Sequence, residues 1–271
     1  LLENREQFFH KLKQDPLSEA DALKSVQRWL KLAEAPSFES CVRVMVDEFI
    51  TNYRNNINDL THAFPKDARI KDSATGADLG LFWHGHKRFP QSTDLNPSQQ
   101  EHVDYVYHGA NILASVFKIP EQSKGQVQQI LQKMVTDIKP WQPSNVVIKL
   151  DEDKNKPAAA AADEEEKKND TPSEEDSALI ARVTDELRSL DLSKFKPLAS
   201  ADFEKDVDSN HHIDWITSAT NLRCWNYFIK ETTRQKCRMI SGKIIPAIAT
   251  TTATITGFIG VEMYKYILQV A

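Results

Sequence analysis

Three cysteines are the first residues of this chain that could carry chemistry. A catalytic cysteine needs a lowered pKa and a neighbouring base that orients the thiol. Cys41 falls within a helical repeat of apolar residues, so we expect it to be packed in a core. Cys224 lies in a second helical stretch. Cys237 stands among arginines and lysines and is the candidate most able to form a thiolate, although we expect a catalytic role for none of the three.

Six of the eight histidines are the candidates for a metal site: His84, His86, His102, His108, His211 and His212. Zinc sites usually combine closely spaced Cys/His pairs with a matching second pair. The sequence has no closely spaced pair of cysteines, and its histidines are scattered. We therefore predict no metal site and interpret these histidines as surface or hydrogen-bonded side chains.

Motifs for nucleotide and acyl-transfer chemistry are missing from the sequence. It contains no Gly-x-x-x-x-Gly-Lys loop, no Gly-x-Gly-x-x-Gly loop and no Gly-x-Ser-x-Gly elbow, and it has only 8 glycines. The net charge of −5 argues against nucleic-acid binding through a basic surface. Three cysteines are too few for a disulfide framework and are typical of a reducing compartment.

The elements that must position these residues are mainly helices. Apolar residues recur at helical spacing in four stretches, which predicts helices at about 17–30, 38–64, 103–117 and 127–135, and two further helices are predicted at 177–190 and about 210–227. Pro65 ends the second of them, because its ring and missing N–H break a helix. Residues 66–98 are predicted to be a long ordered loop. We expect a small β component at 145–150 and at 200–204.

Two segments differ from the rest in composition. Residues 151–176 hold 11 acidic residues against 4 lysines, and this charge predicts a flexible acidic insert. Residues 244–261 form an uncharged run of 18 residues, but five are threonines and a proline and two glycines interrupt it. A membrane span needs about 20 predominantly apolar residues. We therefore predict a buried segment of a globular core and no membrane association.

Four segments, in this order and spacing, carry a family signature. They are 82–90 (Phe-Trp-His-Gly-His-Lys-Arg-Phe-Pro), 203–216 (Phe-Glu-Lys-Asp-Val-Asp-Ser-Asn-His-His-Ile-Asp-Trp-Ile), 218–227 (Ser-Ala-Thr-Asn-Leu-Arg-Cys-Trp-Asn-Tyr) and 242–253 (Gly-Lys-Ile-Ile-Pro-Ala-Ile-Ala-Thr-Thr-Thr-Ala). They resemble the corresponding stretches of ubiquitin-activating enzymes. Weaker similarity extends through 25–45 and 53–65, so the resemblance covers nearly the whole chain except the acidic insert.

The resemblance implies a part of a two-step enzyme. Members of the family use ATP and magnesium to adenylate the C-terminus of ubiquitin, take it onto a catalytic cysteine as a thioester and pass it to a ubiquitin-conjugating enzyme. Residues 1–240 resemble the second catalytic-cysteine half-domain. Residues 241–271 resemble a segment of the α/β adenylation domain of the same protein. The expected partners are ubiquitin, conjugating enzymes and that adenylation domain, in the cytoplasm and nucleus.

The sequence also departs from the family pattern. The family's nucleophile lies in a Cys-Thr motif, and no Cys-Thr pair occurs here. We therefore assign no catalytic, cofactor-binding or metal residue, and we expect a fragment without the initiator methionine, the nucleophile or the ATP site. Val207 replaces an acid and Trp215 replaces a phenylalanine of the family motifs. The alternative is a non-catalytic helical protein-interaction module.

The first motif leaves two structural interpretations open. Phe82 and Trp83 either anchor the long loop to the helical core or contact a partner. Lys87 and Arg88 either stabilise the loop or face an acidic partner. The sequence alone favours anchoring for the two aromatic residues and does not decide between the two roles of the cations.

The later motifs allow alternatives as well. Asp206, Asp208 and Asn210 are suited to cap a helix N-terminus, where short polar side chains accept free N–H groups. The hydroxyls of Thr250, Thr251 and Thr252 either line the adenylate side of the fold or are buried and bond the preceding turn. We expect the apolar segment around these threonines to dock in part on its own domain and to leave exposed surface that favours self-association.

Overall fold

The computed structural model describes residues 4–12, 16–71, 78–143, 174–244 and 249–269. These residues are mainly helical, as the sequence predicted. In chain order the helices are α1 (Arg5–Leu12), α2 (Pro16–Glu34), α3 (Phe38–Phe49), α4 (Asn56–Ala63), α5 (Gln100–Val116), α6 (Lys124–Met134), α7 (Glu174–Ser189), α8 (His212–Asn226), α9 (Arg234–Ser241) and α10 (Ala249–Leu268).

The main core forms around α5, which packs against α3 and α8 and also contacts α6. Helix α3 begins with a capping box, because Ser37 Oγ accepts a hydrogen bond from Ser40 N at 3.1 Å. Apolar side chains of α3, α5 and α6 are almost fully buried in this core: Cys41, Val42, Val46, Phe49, Val106, Ala110, Ala114, Val127 and Leu131. A second cluster joins α1, α2 and α7.

The long helical stretch predicted at 38–64 is interrupted by a π-helical segment, Ile50–Asn55, between α3 and α4. Such segments widen the helix and are frequently found at functional sites. Tyr53 lies in this segment, and its carbonyl accepts a hydrogen bond from Thr93 N at 2.9 Å. The irregular backbone therefore gives the loop that follows α4 an anchor on the helix.

The β component lies where the sequence predicted a loop. β1 (Arg69–Lys71) pairs antiparallel with β2 (Asp78–Leu81), with Arg69 opposite Leu81 and Ile70 opposite Gly80. The strand expected at 145–150 lies outside the described residues. The strand expected at 200–204 is wrong, because these residues bond locally: Ser200 Oγ donates to Asp202 at 2.9 Å and Glu204 N donates to His212 Nδ1 at 3.1 Å.

Helix α10 carries the apolar residues of the C-terminal run, and none of its residues is buried. The structure therefore contradicts both the burial predicted for residues 249–261 and the partial docking predicted for this segment. Its apolar side chains are distributed around the helix, so no single face matches the core of the domain. Among the described residues, no helix combines the length and the apolarity that crossing a bilayer requires.

Candidate functional site

The Phe-Trp motif forms the base of the loop that follows β2. Phe82 is buried and stacks on Phe64, with ring centroids 4.3 Å apart. The Trp83 indole N–H donates to the carbonyl of Phe64 at 2.9 Å, and its ring meets Phe89 edge-on at 5.2 Å. Phe82 and Trp83 therefore anchor the loop to the C-terminal end of α4.

The cations of the motif also hold the loop. Lys87 Nζ lies 4.9 Å from the centroid of the Phe82 ring. Arg88 Nη1 donates to the carbonyl of Phe228 at 2.7 Å, which joins the loop to the turn after α8. Both cations thus stabilise the loop through these contacts.

Asn226 is the centre of the site and is fully buried. Its side-chain amide donates to the carbonyls of Tyr53 at 3.2 Å and Gln91 at 2.8 Å, and to Thr93 Oγ1 at 3.1 Å. Gln91 N in turn donates to the carbonyl of Asn226 at 2.8 Å. One asparagine at the end of α8 therefore joins the π-helical segment to the loop.

Two buried tyrosines near Asn226, Tyr53 and Tyr105, stay protonated. The Tyr53 hydroxyl donates a hydrogen bond to the carbonyl of Ala219 at 3.1 Å. The Arg223 guanidinium lies over the Tyr53 ring, 5.0 Å from the ring centroid. Burial raises the pKa of Tyr53 to about 12 and raises that of Tyr105 as well. These hydroxyls serve packing and hydrogen bonding, since neither can ionise near neutral pH.

The acidic motif before α8 pairs with α9. Arg234 contacts Asp214 at 2.6 Å and Asp208 at 2.9 Å, and Arg238 contacts Asp206 at 2.9 Å. The capping interpretation is therefore wrong for Asp206 and Asp208, whose carboxylates bind the arginines instead of helix N–H groups. Ion pairing with α9 fixes the segment that leads into α8.

The capping interpretation holds for the third polar residue of the motif. Asn210 Oδ1 accepts a hydrogen bond from His212 N, the first residue of α8, at 3.0 Å. The intervening His211 has a left-handed backbone with φ of 65°. This sharp bend places His211 Nδ1 2.8 Å from His108 Nδ1 on α5, so one of the two rings donates to the other.

Comparison with known proteins gives the family. Residues 1–238 match the model of the ubiquitin-activating enzyme SCCH domain. The chain belongs to the ubiquitin-activating enzyme family. These residues are the catalytic-cysteine half-domain that the sequence motifs predicted.

Individual relatives agree with this assignment. The chain is 34% identical over 241 residues to ubiquitin-activating enzyme E1 1 of Candida albicans (strain WO-1), which covers 85% of this chain and 21% of that protein. It is 36% identical over 250 residues to human ubiquitin-like modifier-activating enzyme 1, and the match covers 91% of this chain and 22% of that protein. Human ubiquitin-like modifier-activating enzyme 6 is 34% identical over 232 residues, covering 84% and 21%. The chain thus spans about a fifth of the length of these relatives.

The three cysteines of this ubiquitin-activating enzyme half-domain are poorly suited to attack. Cys41 is fully buried, as predicted, and burial raises its pKa to about 11. Burial also raises the pKa of Cys224. Cys237, the candidate most able to react, is only 5% exposed. The arginines beside it, Arg234 and Arg238, are engaged by carboxylates, so the favourable setting inferred from the sequence is not realised.

Among the histidines, His108 and His211 are in contact, as described above. In the described ranges no three His, Cys, Asp or Glu side chains come together as metal ligands would. His84 and His86 are exposed on the loop, whereas His102 is buried between the rings of Phe49 and Trp225. His102 Nδ1 accepts a hydrogen bond from Asn96 N at 2.9 Å, so it holds the loop before α5.

The sequence did not point to the loop residues that hold the loop to the helices. Gln91, Thr93 and Asn96 lie in the loop and bond Asn226, Tyr53 and His102 in the core, as described above. No periodicity marks them, because their role depends on chain segments far apart in sequence. The only available signal is that Asn226 lies within a family motif.

The buried His102 should make stability depend on pH. Burial lowers its pKa from 6.5 to about 4. Between these values the unfolded chain binds more protons than the folded one, so stability is full above about pH 6.5 and falls as the pH drops towards 4. When the pH is lowered from 7.5 to 5, we expect the free energy of unfolding to fall by about 1–2 kcal/mol less in the His102→Gln variant than in the wild type.

Urea unfolding at the two pH values measures this difference. His84→Gln is the matched control, because His84 is exposed, and it should keep the wild-type pH dependence. An equal pH dependence in the His102→Gln variant and the wild type would show that protonation of His102 does not oppose folding.

Proposed function

We propose that this chain is the second catalytic-cysteine half-domain of a ubiquitin-activating enzyme, and that it acts by positioning. In the full-length protein, adenylation of ubiquitin and attack by the catalytic cysteine take place on other segments. The observation that carries this proposal is the family match over residues 1–238. The half-domain supplies a rigid surface that brings the thioester cysteine towards the adenylate and then towards the conjugating enzyme, since proximity can remove much of a reaction barrier.

The geometry of the motif segments supports a positioning role. The loop at 82–90 and the helix that ends at Asn226 are joined by Arg88 and, through Gln91, by the buried amide of Asn226. The segment before α8 is fixed by ion pairs to α9. Three family segments thus form one connected unit around α8. Preorganisation of this kind suits a scaffold that must present other parts of an enzyme at fixed distances.

We assign ATP and magnesium to other parts of the full-length enzyme. The sequence contains no phosphate-binding glycine loop. Within the part of the chain that the structure describes, no acidic cluster offers a set of metal ligands. The nucleophile is likewise assigned to a Cys-Thr motif outside this chain. Ubiquitin and conjugating enzymes are the partners of the whole protein, and the proposed locations are the cytoplasm and nucleus.

We further propose that residues 241–271 belong to the adenylation domain. Helix α10 exposes large apolar side chains, including Phe258, Ile259 and Met263 at more than half of their surface. Thr250, Thr251 and Thr252 are also exposed, so the interpretation that their hydroxyls are buried is wrong for this structure. An apolar helix without a single polar face is suited to the interior of a larger domain. The alternative, a non-catalytic interaction module, provides no larger domain in which α10 would be buried.

A chimera tests the proposed function. Residues 1–240 replace the matching segment of human ubiquitin-like modifier-activating enzyme 1, to which the chain is 36% identical. With ubiquitin, ATP and magnesium, we expect the chimera to form a thiol-sensitive ubiquitin adduct on a non-reducing gel. The isolated chain should form no adduct under the same conditions.

Two results would contradict the proposal. A folded chimera that makes the ubiquitin adenylate but no thioester would show that this half-domain cannot position the nucleophile. A thiol-sensitive adduct on the isolated chain, mapped to Cys224 or Cys237, would show that the chain supplies its own nucleophile.

A further inference from the structure

A cleft of about 550 Å³ opens beside the Phe-Trp loop, between the end of α4, the loop and the turn after α8. Its apolar wall includes Leu60, Tyr227 and Ile229. Lys87 and Arg88 also line it, and none of the nine described residues in its lining is acidic. We call this feature the cationic cleft. Its lining is positive although the chain as a whole carries a net charge of −5.

The turn at the edge of the cationic cleft exposes two large apolar side chains. Phe228 is 65% exposed and Ile229 is 49% exposed. The backbone beneath them is fixed, because Phe228 O accepts a hydrogen bond from Arg88 and Ile229 N donates to Cys224 O at 2.8 Å. Exposed apolar side chains on a fixed backbone are typical of interaction sites, since a flexible segment would lose entropy on binding.

The backbone of Phe228 explains why its ring stands in solvent. Its φ is 54°, in the left-handed region, where an aromatic residue is rare. Phe228 is the left-handed residue of the turn that ends α8, closed by the hydrogen bond from Ile229 N to Cys224 O, and Lys118 has the same conformation after α5. A glycine would take the same conformation without strain. The phenylalanine ring therefore stands in solvent at a position whose backbone favours a residue without a side chain.

The charges around the cationic cleft define what it can bind. The hydrogen bond of Arg88 is to a carbonyl, which leaves the positive charge of the guanidinium without neutralisation by that partner. Lys230 is exposed on the same turn. The next residue is an acid, Glu231, whose Oε1 accepts a hydrogen bond from the indole N–H of Trp225 at 2.6 Å. Carboxylates of a partner would gain charge-assisted hydrogen bonds from Arg88 and Lys230.

We propose that the cationic cleft binds a linear peptide segment of a partner protein in which a large apolar side chain is flanked by acidic ones. The apolar side chain packs against Tyr227, Phe228 and Ile229. The flanking carboxylates contact the cations of the loop and the turn. This binding adds a recruitment site to the positioning role and depends on neither the thioester nor the adenylate.

Fluorescence anisotropy with three labelled peptides tests this recognition. The probe is Gly-Ser-Asp-Glu-Phe-Leu-Glu-Asp-Gly-Ser. One control replaces its acidic residues by lysine, and the other replaces Phe-Leu by Ser-Ser. We expect the probe to bind at least about tenfold more tightly than either control, and its affinity to fall as salt is added. Equal binding of the three peptides, or no binding of the probe at roughly 1 mM chain, would overturn the proposal.

Variants locate the binding at the cationic cleft. Phe228→Gly removes the ring and relieves the positive φ, so the melting temperature should not fall while the affinity drops about fivefold or more. Lys230→Glu should weaken binding similarly. The matched controls are Leu198→Ser and Lys133→Glu at other exposed positions, which should bind as the wild type does. Unchanged affinity in both cleft variants would place any binding elsewhere and overturn the proposal.

Discussion

The Asn226→Ala variant should be less stable than the wild type by about 3 kcal/mol. The substitution removes a fully buried amide whose two N–H groups are shared among Tyr53 O, Gln91 O and Thr93 Oγ1. Tyr53 O keeps its hydrogen bond from Thr93 N, whereas the oxygens of Gln91 and Thr93 lose this donor, and each unsatisfied group costs about 1–3 kcal/mol. Local relaxation of the loop lets water reach part of them, which keeps the total below the full sum. Urea unfolding at pH 7.5 measures the difference.

Asn52→Ala is the control for Asn226→Ala. The Asn52 amide is partly exposed and donates to Glu48 Oε2 at 3.2 Å, so its loss should cost less than about 1 kcal/mol. In the chimera, Asn226→Ala should also reduce thioester formation, because the motif loop loses its attachment to α8. If Asn226→Ala is as stable as Asn52→Ala, the buried amide does not hold the loop to the helices.

The second large effect is expected at Phe49, the largest of the fully buried side chains that the structure describes. Its ring contacts His102, Tyr53 and Tyr105, with centroid distances of 4.9, 5.3 and 5.9 Å. Phe49→Ala should lower the free energy of unfolding by about 3–5 kcal/mol, since it loses buried apolar surface and leaves a cavity among aromatic rings. The midpoint of urea unfolding should fall while the slope stays close to that of the wild type.

Phe203→Ala tests whether the effect comes from burial. Phe203 is 48% exposed, and its ring stacks loosely on His212 at 6.0 Å. We expect a loss below about 1 kcal/mol there. Similar losses at Phe49 and Phe203 would contradict the position of the main core around α3 and α5.

Local regularities in the sequence were sufficient to predict most of the helices. The apolar repeat at 103–117 became α5, and the helix predicted at 210–227 became α8 with bounds shifted by one or two residues. The signal is strong for α5 because one face of that helix must be buried, which repeats apolar residues at helical spacing. The packing of Cys41 followed from the same periodicity.

Other local features depend on contacts that the sequence pattern does not display. The π-helical segment Ile50–Asn55 has the same apolar repeat as the helices beside it, so the pattern could not distinguish it. The hairpin of β1 and β2 has strands of only three and four residues, too short for a clear alternation. The pairing of Asp206 and Asp208 with α9 replaced capping because the arginines reach them only in the folded chain.

The sequence by itself determined the family, the mainly helical class and the absence of a Cys-Thr nucleophile in this chain. These properties depend only on which residues occur and in which order, and both are the same in the unfolded chain. The tertiary structure decided that Cys237 is buried, that Asn226 joins the loop to the π-helical segment, and that Phe228 stands in solvent beside two cations. Each of these depends on groups brought together from distant parts of the chain, whose distances and burial are set by packing alone.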